Sequence, residues 1–105
     1  MNRKEELMRN IRNLVFIKHE RSNRQYLFEV PLDVRLFKGD KVFCDTIRGR
    51  SVGICETESF LVDDRVASYI IGAVGAYEPL KPVVGYATEI KNYKLKPFDS
   101  PDLPF

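Results

Sequence analysis

The sequence predicts a mainly β domain, a small, partly open barrel of about five strands with a short N-terminal helix and one further helix. Three observations lead there. Short runs dense in β-branched and aromatic residues recur along the chain, glycine and proline turns separate them, and only two segments carry helical spacing. The stretch from Lys38 to Cys55 is the most complete of these units: the turn Lys38-Gly39-Asp40 launches a strand, the basic turn Arg48-Gly49-Arg50 reverses it, and a second strand returns.

The elements follow in order. Residues Lys4 to Asn13 place Leu7, Met8 and Ile11 at helical spacing among charges, which predicts a short amphipathic helix. Leu14 to His19 and Gln25 to Val30 read as two strands of a hairpin joined by the polar cluster Glu20 to Arg24, and Pro31 ends the second. A register for the central hairpin follows from asking which pairing segregates apolar side chains, because a one-residue slip moves every side chain to the other face. A three-residue Arg48-Gly49-Arg50 loop sets Cys44 opposite Ile54 and groups Val42, Cys44, Thr46, Val52 and Ile54 on one face. Cys55 then falls on the other face, which excludes a cross-strand disulfide with Cys44. Gly53, inside the returning strand, signals a bulge, a bend or a close backbone approach.

After the short apolar run Phe60 to Val62, Asp63 or Asp64 can cap a helix reaching about Ala73, with Val66, Ile70 and Val74 at four-residue spacing. Gly72 and Gly75 weigh against that helix, and the Ile70-Ile71 pair also suits a strand. Val83 to Tyr93 reads as the last strand, with Gly85 as a bend. Pro97, Pro101 and Pro104 mark residues 94–105 as an extended or disordered tail, so residues 1–93 form a single domain.

At 105 residues, with 44% hydrophobic content, the chain has material for one core. The net charge is only +2, so affinity for a polyanion has to come from local clustering. Arg3, Lys4, Arg9, Arg12, Lys18, Arg21 and Arg24 provide it at the start of the chain, against only Glu5, Glu6 and Glu20. No apolar run is long enough to span a bilayer and the charged N-terminus lacks the apolar core of a secretory signal, which predicts a cytoplasmic protein without membrane association. The two cysteines are too few for a disulfide scaffold and too far apart for a zinc knuckle, so they read as reduced, buried thiols.

The inventory for catalysis is thin, and neither a catalytic residue nor a cofactor is expected. His19 is the single histidine, which leaves no ligand set for a metal. A Cys-His pair with Cys44 or Cys55 is chemically feasible, but no spacing brings His19 to either sulfur. Asp40 and Asp45, or Asp63 and Asp64, are explained by turns and helix capping. The GxxG of Gly72 to Gly75 has the spacing of a KH loop but no basic residue between its glycines.

The turns carry the candidate binding groups. Arg21 and Arg24 flank the first, Arg48 and Arg50 the second, and Lys38 precedes the strand between them. Guanidinium groups pair with phosphates, and Tyr26 in the adjoining strand offers a ring on which an unpaired base can stack. The Tyr26-x-Phe28-x-Val30-Pro31 segment followed by Lys38-Gly39-Asp40-x-Val42-x-Cys44-Asp45-Thr46-x-Arg48-Gly49 and Gly53 resembles the C-terminal domain of the polymerase suppressor protein family. It is also similar to the N-terminal DNA-binding domain of the primosomal replication helicase. Both resemblances cover Leu14 to Thr57. The first implies an accessory module and the second implies recognition of DNA ends or forks.

Taken together, the barrel is expected to be SH3-like and the chain a non-enzymatic module that binds DNA or RNA through Arg21, Arg24, Lys38, Arg48 and Arg50, with Tyr26 stacking. The alternative is a protein-interaction or assembly module, a homo-oligomer included, that uses a sheet edge or the Pro-rich tail.

Overall fold

The computed structural model describes residues 10–19, 22–88 and 94–98. They form a mainly β structure, a seven-stranded antiparallel sheet with one helix, in the chain order β1 (Ile11–His19), β2 (Gln25–Val30), β3 (Lys41–Thr46), β4 (Gly49–Cys55), β5 (Phe60–Asp63), α1 (Asp64–Val74), β6 (Val83–Thr88) and β7 (Lys94–Pro97). The strands lie side by side as β2-β1-β4-β3-β6-β7, and β5 pairs with β1. Strand β1 organises the whole. Its residues Asn13 to Lys18 pair with β2, its first residues, Ile11 to Leu14, pair with β5 on the other edge, and its last three, Ile17, Lys18 and His19, pair with Cys55, Ile54 and Gly53 of β4.

The sheet curls around one core and carries a second on its back. Val15 and Ile17 of β1, Phe28 and Val30 of β2, Val42 and Cys44 of β3, Cys55 of β4 and Val83 of β6 meet inside with Leu36. Leu14 and Leu27 point to the opposite face, where α1 covers them with Ala67 and Ile71. Because β1 is buried on both faces, its sequence Leu14-Val15-Phe16-Ile17 is an unbroken apolar run without alternation. The curl brings β2 back toward the start of β6 at a single bridge, Glu29 to Pro82, so the sheet is not a closed barrel.

The helix is made by its ends. The Asp63 carboxylate accepts a hydrogen bond from the Val66 backbone N–H at 2.8 Å, and Gly75, at φ 71°, donates to the Gly72 carbonyl while Ala76 donates to that of Ile71. This is the left-handed glycine cap that closes a helix, and it accounts for Gly75, with Gly72 an ordinary residue of the last helical turn. Replacing Asp63 by alanine is expected to destabilise the protein by about 1 kcal/mol, read as a lower urea midpoint at unchanged slope.

Four expectations change. Seven strands replace about five. Ile11 to Asn13, expected at the end of an N-terminal helix, belong to β1, where they pair with β5, and residues 4–9 of that helix lie outside the described residues. Lys94–Pro97, expected in the tail, pairs with β6 (Val83–Thr88), and residues 89–93 of the strand expected to Tyr93 lie outside the described residues. The central hairpin also takes another register: Cys44 lies opposite Ser51 and not Ile54, a shift of three residues. Ile47 and Arg48 make its loop, and Gly49, at φ 107°, starts the return strand in the left-handed region as in a glycine bulge. An odd shift reverses one strand's faces relative to the other. Cys44 and Cys55 therefore share the inner face, both buried and both free thiols, with Gly53 and Ser51 beside them instead of Val52 and Ile54.

Candidate nucleic-acid interface

The β1–β4 ladder decides which turns are neighbours. Since the strands are antiparallel and His19 pairs with Gly53, the β1–β2 turn and the β3–β4 turn emerge at the same end of the sheet, with Gly49 to Val52 extending beyond the last β1 pair. That end collects Arg24, which is exposed, and Arg48, exposed at the tip of the second turn. Lys38 lies at the far end of β3, separated from the Arg48 turn by a six-residue strand, about 20 Å. Arg21 lies outside the described residues.

Face as well as end separates the candidates. Arg50 sits opposite Asp45 on the outer face and pairs with it, Nε to Oδ1 at 3.2 Å, so part of its charge is balanced within the hairpin. Tyr26 continues the row of Phe28 and Val30 on the inner face and keeps 44% of its surface exposed. Its neighbour is His19, two residues beyond Ile17 on the same face of β1, with the ring centroids 5.9 Å apart. The His19 ring also meets Phe28 edge-on at 5.6 Å, and its Nδ1 lies 3.2 Å from the Ser51 hydroxyl. Tyr26, His19 and Ser51 thus form an aromatic and polar rim where the curled sheet opens, between the two basic turns.

His19 and Ser51 were missed as site residues, although His19 was readable: the inward row Val15, Ile17, His19 continues by simple alternation. Ser51 was not, because its face depended on the hairpin register. Arg12, counted among the early basic residues, is committed elsewhere. Its guanidinium is held by Glu29, Nε to Oε2 at 3.0 Å, and by Glu78, Nη1 to Oε1 at 2.7 Å. Those hydrogen bonds, Glu29's first, raise its pKa further and leave it as a tie between β1, β2 and the loop after α1.

The cysteines carry no activated thiolate. Burial pushes both thiols up to about 12, reinforced at Cys44 by Cys55 and Asp45 and at Cys55 by Asp40. Among the described residues no group of three or more His, Cys, Asp or Glu is placed to hold a metal, and no helix is long and apolar enough to cross a membrane.

Known proteins offer no match. No family model, no curated protein and no solved structure aligns with this chain.

Proposed function

We propose that the protein is a non-enzymatic nucleic-acid-binding module whose contact surface is the end of the sheet formed by the two basic turns. The supporting observation is the short β1–β4 ladder, which puts the Arg24 turn beside the Arg48 turn with the half-exposed Tyr26 ring between them. Arg24 and Arg48, with Arg21 and Arg50, then contact phosphates, and Tyr26 stacks on an unpaired base, a contact worth about 1–3 kcal/mol. Lys38 drops to a minor role because it lies at the opposite end. The curled sheet is taken as a small open barrel of the SH3-like kind, and the hairpin's resemblance to a DNA-binding domain agrees with this use. Two unpaired buried thiols suit a reducing, cytoplasmic setting.

Fluorescence anisotropy with labelled single-stranded DNA, duplex DNA and RNA over a salt series tests it. Affinity should fall with salt, by about 0.7 logarithmic units per tenfold salt for each phosphate neutralised on a single strand. Tyr26→Ala should weaken single-strand binding by about 5- to 150-fold. Arg24→Ala and Arg48→Ala should shallow the salt dependence, whereas Lys38→Ala should leave it unchanged. Failure to bind any of the three nucleic acids at low salt would refute the proposal.

A second reading, a protein-interaction or assembly module, draws on α1, whose outward side presents Val66, Tyr69 and Val74, Tyr69 with 78% of its surface exposed. Light scattering over a concentration series addresses it, since association through this side should be lost in Tyr69→Glu.

A further inference from the structure

The outer face of the central hairpin belongs to neither core. Phe43 of β3 pairs with Val52 of β4, and Lys41 with Ile54. All four point outward, since the alternate residues Val42, Cys44, Gly53 and Cys55 are buried inside. Among the described residues, Phe43, Val52 and Ile54 are half-buried yet join neither hydrophobic cluster. They shield one another, while α1 packs mainly against β1 and β5 and leaves this part of the sheet to solvent.

The same face carries cations, arranged in rows that start at the second basic turn. Nearest the turn, Arg50 lies beside Asp45. Two residues further along the strands, about 7 Å, the row reads Val52, Phe43 and then Gly85 of β6, where Leu95 of β7 stands in the space a side chain would take. The next row crosses three strands as Lys18, Ile54 and Lys41. In these three rows, three cations and one carboxylate surround an apolar strip with a phenyl ring at its centre.

We propose that this face is a second contact for the ligand of the basic turns, and that the ligand is a single strand of nucleic acid. From the Arg48 turn the strand runs over the outer face of β3 and β4, stacks a base on Phe43 and sets phosphates against Lys18 and Lys41. This rests on the nucleic-acid reading and narrows it, because a base paired and stacked within a duplex offers Phe43 no free ring face. The excess of cations favours a polyanion over a neutral or basic partner, and continuity with the Arg48 turn favours the molecule that the turn contacts.

Amide-resolved NMR titration of the full chain with an oligothymidylate of about ten nucleotides tests this, beside anisotropy with the same strand and with a duplex. The single strand should shift Phe43, Val52 and Ile54 as well as the Arg24 and Arg48 turns. Phe43→Leu, which keeps an apolar side chain and removes the ring, should weaken single-strand binding by about fivefold or more and leave duplex binding unchanged. Lys18→Gln/Lys41→Gln should shallow the salt dependence by about 1.4 logarithmic units per tenfold salt, the share of two phosphates, and it decides the test if Phe43→Leu unfolds. If Arg48→Ala weakens binding while the Phe43 and lysine variants bind as wild type does, the turns contact nucleic acid and this proposal alone fails. If nothing binds, both fail. Equal loss of single-strand and duplex binding in Phe43→Leu would also overturn it, as would shifts at Phe43, Val52 and Ile54 on concentrating the free protein, which would assign the face to a second copy of the chain.

Discussion

Gly53→Ala is expected to destabilise the protein by about 1–3 kcal/mol, a large loss for the addition of one methyl group. A Cβ at residue 53 would collide with the Ile17 side chain and stand 3.3 Å from both the Lys18 carbonyl oxygen and His19 Nδ1. Ile17 is fully buried between β2, β4 and the inner core, so it has no free space into which to turn. The strand has to move instead, and the β1–β4 ladder that joins the two basic turns is only three pairs long. Gly72→Ala supplies the control. It lies within α1, a Cβ there meets nothing within 4 Å, and its expected effect is a gain of about 0.5–1 kcal/mol. Chemical unfolding of both variants should therefore give opposite signs, and a Gly53→Ala protein as stable as wild type would mean that β1 and β4 do not approach as described. If the ladder also organises the binding surface, Gly53→Ala should weaken nucleic-acid binding under conditions where it remains folded.

The second large effect is alkaline. Cys44 and Cys55 are buried as neutral thiols, and burial moves each from 9.0 to about 12. Above pH 9 the unfolded chain releases these two protons while the folded chain keeps them. Fewer protons bound in the unfolded state means that stability falls as pH rises, up to about 1.4 kcal/mol per pH unit for each thiol. The loss should begin near pH 9 and level off near pH 12, where the folded thiols titrate too. Comparing the pH dependence of unfolding in wild type and in a Cys44→Ala/Cys55→Ala variant isolates the effect from lysine and tyrosine titration. The variant starts less stable, because its core has lost two sulfur atoms, yet its stability should decline less steeply above pH 9. Equal slopes would show that the thiols are already exposed to solvent in the folded state. A thiol reagent at neutral pH gives an independent check: modification should proceed at the rate of unfolding.

Much of the fold was readable because local chemistry and tertiary packing agree. The β1–β2 hairpin and the stop at Pro31 follow from residue type and spacing, and so does the choice the structure then narrowed, Asp63 over Asp64 as the cap and close approach over a bulge or bend at Gly53. The central hairpin was misregistered for a physical reason. The expected pairing assumed that one face is apolar and the other exposed, but both faces of β3 and β4 are largely covered, with Phe43, Val52 and Ile54 half-buried outside. The inner face carries Gly53 and Ser51, which give no hydrophobic signal, because Ile17 already fills the space beside Gly53. Strand β7 was invisible for a similar reason. Lys94-Leu95-Lys96-Pro97 has the composition of a tail, and it joins the sheet because Gly85 lets the β7 backbone approach: a Cβ there would meet the Lys96 carbonyl oxygen at 2.5 Å.

The candidate surface divides the same way. Composition alone marked Arg24, Arg48, Arg50 and Tyr26, since arginine in turns and tyrosine in a strand are visible one residue at a time. Which of them meet depended on strand order, and the three β1–β4 pairs joined the two turns while leaving Lys38 at the far end and turning Arg50 toward Asp45. By itself the sequence determined a mainly β chain, its principal turns and a set of basic turn residues, because those depend on backbone preference and local periodicity, whereas residues 63–75 stayed open between helix and strand until the Asp63 and Gly75 caps were seen. Only the tertiary structure decided the hairpin register, the shared inner face of Cys44 and Cys55, and the His19–Tyr26–Ser51 rim. These depend on which strands lie side by side, and the space that Gly53 and Gly85 leave to their neighbours is set by the partner strand, not by the glycines' own segments.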